Sequence, residues 1–80
     1  MKKKIVILGS TGSIGENTFK ILKENKKKFE IILLSTNTNI RKVFKQAKEF
    51  NVKNVLVNDY KKFIIAKSKY KSSNVKIFNT

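Results

Sequence analysis

The stretch that decides the fold is Ile5-Val6-Ile7-Leu8-Gly9-Ser10-Thr11-Gly12-Ser13-Ile14-Gly15. Four consecutive apolar residues run into three glycines spaced three apart, and an apolar pattern of helical period follows. The apolar run predicts a parallel strand at residues 4–8 that is covered on both faces. The glycines predict a tight turn after this strand and a helix that begins near Ser13.

The rest of the chain alternates short apolar strands with amphipathic helices. Further strands are predicted at residues 29–34, 54–58 and 75–78. The first helix is predicted to bury a stripe made of Ile14, Thr18, Ile21 and Leu22. The order βαβαβαβ predicts a Rossmann-like α/β fold, with a parallel sheet and right-handed crossovers.

Two polar residues are predicted to cap the second and third helices. Asn39 precedes an apolar stripe and Asp59 precedes another, and both residue types are favoured N-caps. The second helix carries Ile40, Val43, Phe44, Ala47 and Phe50 on one face. The third carries Phe63, Ile64, Ala66 and Tyr70. Both helices are therefore expected to pack on the sheet through these faces.

The three glycines form a variant, G-x-x-G-x-x-G, of the fingerprint that binds dinucleotides. A strand that ends at Gly9 and a helix that starts near Ser13 place free backbone N–H groups beside the positive helix end, where a pyrophosphate fits. The hydroxyls of Ser10, Thr11 and Ser13 are expected to donate to phosphate oxygens. A Walker-type nucleotide loop is excluded, because no Gly-Lys-Ser/Thr follows.

The end of the second strand indicates which dinucleotide is bound. NAD sites usually place Asp or Glu there for the ribose 2′-hydroxyl, whereas this chain has only uncharged polar residues at 35–39. Arg41 and Lys42 follow one turn into the next helix, either as solvated surface charges or as contacts to a 2′-phosphate. The absence of a carboxylate that would repel a 2′-phosphate predicts a preference for NADPH.

Composition limits the chemistry that these 80 residues can perform. There is no Cys or His, and the five acidic residues are scattered, so neither a metal site nor a nucleophile–base pair can be assembled. Any catalytic residues are expected to lie outside this chain. The formal net charge is +14, but every basic residue except Arg41 is a lysine, and the lysines are spread along the sequence. This pattern favours a solvated surface over a specific nucleic-acid site.

The apolar run after Lys4 is too short for a signal-peptide core or a membrane span, which predicts a cytoplasmic protein.

The chain is also expected to be one part of a larger domain. A half-sheet of three or four parallel strands would leave exposed edges, so residues 1–80 are interpreted as the N-terminal part of a dinucleotide-binding domain.

Residues 7–15 resemble the opening motif of the 1-deoxy-D-xylulose 5-phosphate reductoisomerase family. The resemblance continues in register through Thr18 and Phe29, and then along Asn39-Ile40, Gln46-Ala47-Lys48-Glu49-Phe50 and residues 55–59. It covers roughly the first sixty residues. Residues 60–80 match only in being a variable helix and strand.

This resemblance implies an NADPH-dependent oxidoreductase of non-mevalonate isoprenoid biosynthesis. Such an enzyme converts 1-deoxy-D-xylulose 5-phosphate to 2-C-methyl-D-erythritol 4-phosphate with Mg²⁺ or Mn²⁺, usually as a homodimer. Cofactor-binding residues are expected at Gly9, Thr11, Gly12, Ser13, Ile14, Asn37, Thr38 and Asn39. The family usually has Ala-Gly-Lys before this Asn, whereas Thr36-Asn37-Thr38 stand here, so Arg41 or Lys42 is a candidate replacement for the lysine. The metal-binding and substrate-binding residues would lie beyond Thr80, and the chain alone would be inactive.

Three alternatives remain open at the level of sequence. One is another NADP-dependent reductase of the semialdehyde dehydrogenase type, which favours a GxTGxVG turn. The second is a small basic nucleic-acid-binding module, whose affinity would fall steeply with salt. The third is an inactive remnant of a reductase gene.

Overall fold

The computed structural model describes residues 2–80 and contains four strands alternating with three helices. The elements are β1 (Lys3–Ile7), α1 (Ser13–Lys23), β2 (Phe29–Thr36), α2 (Ile40–Phe50), β3 (Asn54–Val57), α3 (Tyr60–Lys69) and β4 (Lys76–Phe78). The strands form one sheet in the order β1-β2-β3-β4, and every neighbouring pair is parallel. The predicted Rossmann-like α/β arrangement is therefore confirmed.

The three helices cover one face of the sheet. Each connection moves one strand further in the same direction, and right-handed crossovers in a single direction place all helices on the same side. Side chains on the other side stay open, with Val6 50% and Phe78 43% exposed. The expectation that residues 4–8 are covered on both faces is thus wrong for residues 2–80, because no helix of this part returns to the second face.

A bulge in β2 aligns its buried residues with the helices. Ile5 pairs with Ile31 but Val6 pairs with Leu33, so Ile32 is the extra residue between them. Side chains alternate between faces along a strand, and one inserted residue shifts that alternation by one position. Ile31 and Leu34, three residues apart, can therefore both point into the core.

The apolar core lies between the sheet and the helices. Its buried members are Ile7, Phe19, Leu22, Ile31, Leu34, Ile40, Val43, Phe44, Ala47, Val52, Val55, Val57 and Ala66. The second helix buries most of its predicted stripe, with Phe50 only half-buried. Of the stripe predicted for α3, Ala66 alone is buried, while Phe63 and Tyr70 pack at the border of the core and Ile64 is 48% exposed.

Helix α1 is rotated from its predicted orientation. Ile14 is 84% and Ile21 61% exposed, and Thr18 is also exposed, so most of the predicted stripe faces away from the core. The buried face consists instead of Gly15, Phe19 and Leu22. The reason is that Gly15 lies against the backbone of Gly9 and Ser10, in the turn at residues 9–12 that is called the glycine turn below. This contact directs the Gly15 side of the helix toward the core.

Both predicted N-caps are confirmed. The side chain of Asn39 accepts a hydrogen bond from the backbone N–H of Lys42 at 3.2 Å, and that of Asp59 accepts one from Lys62 at 3.0 Å. These bonds satisfy N–H groups that have no acceptor inside the first helical turn. At the other end of α2, Asn51 adopts a left-handed conformation with φ of 57° and terminates the helix.

Two ion pairs connect α1 to α2. Lys23 Nζ lies 2.8 Å from Glu49 Oε2, and Lys42 pairs with Glu16. The close contact with the Lys23 ammonium lowers the pKa of Glu49 below its ordinary value of 4.5. Desolvation opposes this effect, and the charges of Lys23, Lys26 and Lys45 support it. The ionised form of Glu49 is therefore favoured in the folded protein.

Replacement of Glu49 with glutamine should make the acid side of the stability profile flatter. Because the pKa of Glu49 is lower when folded than when unfolded, its stabilisation is fully present above about pH 4.5 and is lost as the pH falls through the folded-state pKa. The side chain of Lys23 is largely exposed, so the variant should lose less than about 1 kcal/mol of unfolding free energy at neutral pH. Urea denaturation at several pH values would measure the unfolding free energy of both proteins. The control is Glu24→Gln, at the exposed end of α1; an equal change in that variant would contradict the assignment to the ion pair.

Candidate cofactor-binding site

The glycine turn connects β1 to α1, and each of its glycines and Gly15 meets a different requirement of the backbone. Gly9 has a φ of +65°, which side-chain-bearing residues rarely adopt. The N–H of Gly12 donates to the carbonyl of Gly9 at 3.1 Å and closes the turn. A Cβ on Gly15 would lie 2.7 Å from Ser10 Cα and closer still to the carbonyl oxygen of Gly9. The third glycine therefore lets helix α1 lie directly against the turn that follows β1.

The first turn of α1 leaves backbone donors open. Its N-cap, Gly12, has no side chain to cap the helix, and the first helical hydrogen bond runs from the N–H of Glu16 to the carbonyl of Gly12 at 2.8 Å. Within residues 2–80, no acceptor contacts the N–H groups of Ser13 and Ile14. Both residues are exposed. These donors and the positive end of the helix dipole together favour an anion such as a pyrophosphate.

Ser10 serves a different purpose from the one its position in the motif indicates. It is completely buried, and its Oγ donates to Gln46 Oε1 of α2 at 2.7 Å. Gln46 Nε2 donates back to the carbonyl of Ser10 at 3.0 Å. The expectation that the Ser10 hydroxyl reaches phosphate is therefore wrong, because this hydroxyl faces α2 rather than solvent.

Ser35, at the end of β2, holds the turn from the other side. Its Oγ accepts from the N–H of Gly9 at 2.8 Å, and its carbonyl accepts from the N–H of Ser10 at 2.9 Å. The first two N–H groups of the turn are consequently used inside the protein. The donors left for a ligand lie further along, at the start of α1.

The carboxyl ends of β1 and β2 are joined by a pair of hydroxyls. Thr11 Oγ1 and Thr36 Oγ1 lie 2.8 Å apart, and Thr36 Oγ1 also accepts from the N–H of Asn39 at 3.2 Å. Thr36 is buried within β2, which extends two residues beyond the predicted end of this strand. The exposed polar residues at this edge are accordingly Asn37, Thr38 and Asn39.

The two candidate cations differ in their surroundings. Lys42 forms an ion pair with Glu16 across the groove between α1 and α2. Arg41 is exposed in the first turn of α2, and no ion pair involves it among residues 2–80. That turn contains no acidic residue. Arg41 is thus the cation available to an anion at the end of β2.

The eight predicted site residues fall into two groups at one edge of the sheet. Gly9, Thr11, Gly12, Ser13 and Ile14 follow β1, while Asn37, Thr38 and Asn39 follow β2. Because the strands are parallel neighbours, both groups lie at the carboxyl end, where open α/β sheets bind ligands. Asn39 also caps α2, so its Oδ1 is already used within the protein.

Sequence reasoning missed Ser35 and Gln46 as supports of this site. The sequence predicts that Ser35 follows the second strand in a polar cluster, whereas Ser35 lies within β2 and is 5% exposed. Gln46 is 6% exposed and lies between Val43 and Ala47 on the buried side of α2. A glutamine that interrupts an apolar helical stripe was the available signal, since a buried amide must find hydrogen-bond partners.

Positive charge accumulates at the opposite edge of the sheet. The strands start beside lysines, and backbone hydrogen bonds join Lys3 to Lys28 at 3.0 Å and Lys76 to Lys53 at 2.8 Å. Lysines that are spread along the sequence are therefore brought together at the amino ends of the strands. Since the glycine turn lies at the carboxyl ends, this charge is separate from the candidate cofactor site.

Residues 2–80 contain no group of three His, Cys, Asp or Glu side chains that could hold a metal ion. The donor set of this part therefore does not fit a divalent cation, which requires several oxygen ligands at once. In the same part of the chain, the helices are all too short or too polar to cross a lipid bilayer.

Comparison with known proteins identifies close relatives. Residues 5–79 match the family profile described as 1-deoxy-D-xylulose 5-phosphate reductoisomerase. The reductoisomerase of Pelagibacter ubique is 53% identical over 77 residues, and that of Listeria monocytogenes serotype 4b is 42% identical over 77 residues. Each alignment spans 96% of this chain and 20% of the relative. The chain thus corresponds to about a fifth of the length of these relatives.

Solved structures show the same arrangement of strands and helices. The reductoisomerase of Zymomonas mobilis in complex with NADPH superposes with a TM-score of 0.90 at 26% identity, covering 99% of this chain and 21% of that one. A reductoisomerase in complex with NADPH, fosmidomycin and magnesium superposes with a TM-score of 0.89 over 98% of this chain and 19% of that one. At 22% identity, the second likeness supports the fold alone.

Proposed function

Because the chain belongs to the 1-deoxy-D-xylulose 5-phosphate reductoisomerase family, we propose that residues 1–80 are the N-terminal part of its NADPH-binding domain. The observation that supports this proposal most directly is in the first turn of α1. There the N–H groups of Ser13 and Ile14 lie beside the glycine turn, and no acceptor within residues 2–80 contacts them. A pyrophosphate at this position would receive both hydrogen bonds and the favourable helix dipole. Gly9, Thr11 and Gly12 would shape the approach to it.

The adenosine end of the cofactor would lie beside the second group, Asn37, Thr38 and Asn39. Their backbone and amide groups would contact the ribose, and Arg41 would hold the 2′-phosphate. Arg41 is preferred to Lys42 because Lys42 is already paired with Glu16. The guanidinium also offers two parallel hydrogen bonds to a phosphate, which an ammonium cannot provide.

The complete protein would use this cofactor to convert 1-deoxy-D-xylulose 5-phosphate to 2-C-methyl-D-erythritol 4-phosphate in non-mevalonate isoprenoid biosynthesis. Bound NADPH supplies the hydride for the reduction. The described residues bind and orient the cofactor only, so the Mg²⁺ or Mn²⁺ ligands and the phosphosugar site would belong to the other four-fifths of the family's length. The complete protein would be a cytoplasmic homodimer, and residues 1–80 alone would not catalyse the reaction.

Titration of the full-length protein with NADPH and NADH tests the proposal. NADPH should bind at least about tenfold more tightly, because a charge-assisted contact to the 2′-phosphate is absent with NADH. Arg41→Ala should remove most of this difference by weakening NADPH and leaving NADH unchanged. The matched control is Lys48→Ala, an exposed cation in the last turn of the same helix, which should bind both cofactors as the wild type does. Tighter binding of NADH by the wild type would contradict the proposal.

A further inference from the structure

Gln46 and Ser10 form a closed pair of hydrogen bonds between two segments that are far apart in sequence. The carboxamide of Gln46 accepts from Ser10 Oγ at 2.7 Å and donates to the carbonyl of Ser10 at 3.0 Å. Ser10 is completely buried and Gln46 is 6% exposed. Water therefore cannot replace either bond readily. A change at Gln46 leaves the carbonyl of Ser10 without a partner and leaves its hydroxyl only the longer bond to the carbonyl of Ser35, at 3.3 Å.

This pair fixes Ser10 and the Ser10–Thr11 peptide, one residue after the left-handed residue Gly9. Ser35 holds the N–H groups of Gly9 and Ser10 and also accepts from the Ser10 hydroxyl at 3.3 Å. Gln46 adds the restraint on the carbonyl of Ser10 and the shorter hydrogen bond to its hydroxyl. With both supports in place, the turn has one orientation. The N–H groups of Ser13 and Ile14, which no acceptor within residues 2–80 contacts, then do not have to be ordered by the ligand.

We propose that Gln46 is a positioning residue for the dinucleotide: it binds no part of the cofactor but holds the glycine turn in the conformation that receives the pyrophosphate. This inference rests on the proposed cofactor function and extends it to the interior of the domain. The role is specific to the pyrophosphate, because the hydrogen bonds of Gln46 end at Ser10 and do not reach residues 37–39.

The test compares two ligands in the full-length protein. NADPH contains the pyrophosphate, whereas 2′-AMP carries only the adenosine and the 2′-phosphate. Gln46→Met keeps the size of the side chain and removes both hydrogen bonds, so it should weaken NADPH about tenfold and leave the affinity for 2′-AMP unchanged. Arg41→Ala should weaken both ligands. Affinities are compared per folded molecule, with the folded fraction taken from circular dichroism.

Two further variants separate positioning from general stability. Val52→Ala makes a small cavity in the core, away from the turn, and should lower the melting temperature without changing either affinity. Ser10→Ala combined with Gln46→Met should bind NADPH no more weakly than Gln46→Met alone, since both changes remove the same restraint. If Gln46→Met does not fold, Gln46→Asn serves in its place, because the shorter amide cannot reach Ser10.

The outcomes distinguish this inference from the proposed function. If the wild type binds NADPH and the Gln46 variant binds it equally well, the positioning role is overturned while the cofactor site stands. Equal weakening of NADPH and 2′-AMP, or weakening by Val52→Ala as well, would also overturn the positioning role. If the wild type binds neither ligand, the proposed function itself is contradicted.

Discussion

Replacing Gly15 with alanine is expected to lower the free energy of unfolding by about 3 kcal/mol and to abolish measurable NADPH binding. The new Cβ would lie 2.7 Å from Ser10 Cα and would overlap the carbonyl oxygen of Gly9. Both neighbours are backbone atoms, so no side-chain rotation can relieve the overlap. Helix α1 would have to move away from the turn, and with it the N–H groups of Ser13 and Ile14.

The other two glycines of the motif provide graded controls for this experiment. A Cβ on Gly12 would meet only the carbonyl oxygen of Gly9, at 3.5 Å, so Gly12→Ala should fold almost as stably as the wild type. A Cβ on Gly9 has open space, but the φ of +65° should cost Gly9→Ala about 1 kcal/mol. Urea denaturation of the three variants measures their free energies of unfolding, which should decrease in the order Gly12→Ala, Gly9→Ala, Gly15→Ala. Equal stability of the Gly12 and Gly15 variants would contradict the close packing of α1 on the turn.

Replacing Leu34 with alanine is expected to cost about 3 kcal/mol of unfolding free energy. Leu34 lies in β2, between β1 and β3, and its side chain is completely buried. Removal of three heavy atoms leaves a cavity that surrounding side chains can fill only in part. Since a chain of this length has a total stability of only about 4–12 kcal/mol, the substitution would remove between about a quarter and three quarters of it.

Ile21→Ala is the matched control for the Leu34 variant. Ile21 is apolar and lies on a regular element, but it is 61% exposed on the outer side of α1. Its truncation should change the free energy of unfolding by less than about 0.5 kcal/mol. Thermal or urea unfolding of both variants checks the pair, and a larger loss at Ile21 would mean that α1 has the rotation expected from its sequence.

The sequence predicts the order of elements well because strand and helix periods are local properties. The stripe of α2 and the caps Asn39 and Asp59 follow from residues only a few positions apart. The bulge at Ile32 could not be found in this way, since residues 29–34 form an almost unbroken apolar run that reads the same in either register. Register there is determined by pairing with β1, a contact between distant parts of the chain.

The rotation of α1 illustrates a different limit. Ile14 and Ile21 are more apolar than Gly15, so periodicity alone predicts that their side of α1 faces the core, whereas both side chains are exposed. The close approach of Gly15 to the turn overrides that preference. In the candidate site, the backbone role of the glycines was predictable from their spacing. The hydrogen bond from the Ser10 hydroxyl to Gln46 could not be predicted, because it depends on the placement of α2 against the turn.

Strand β1 occupies one border of the sheet, and its outer backbone groups have no partner within residues 2–80. An open border of this kind invites pairing with another polypeptide, including a copy of the same segment. Lys3 and Lys4 stand at the start of the strand, and the net charge of +14 makes like copies repel one another. Salt shortens the reach of that repulsion from about 10 Å at 0.1 M to about 3 Å at 1 M. We therefore expect this segment, while its border is open, to self-associate more at high than at low ionic strength.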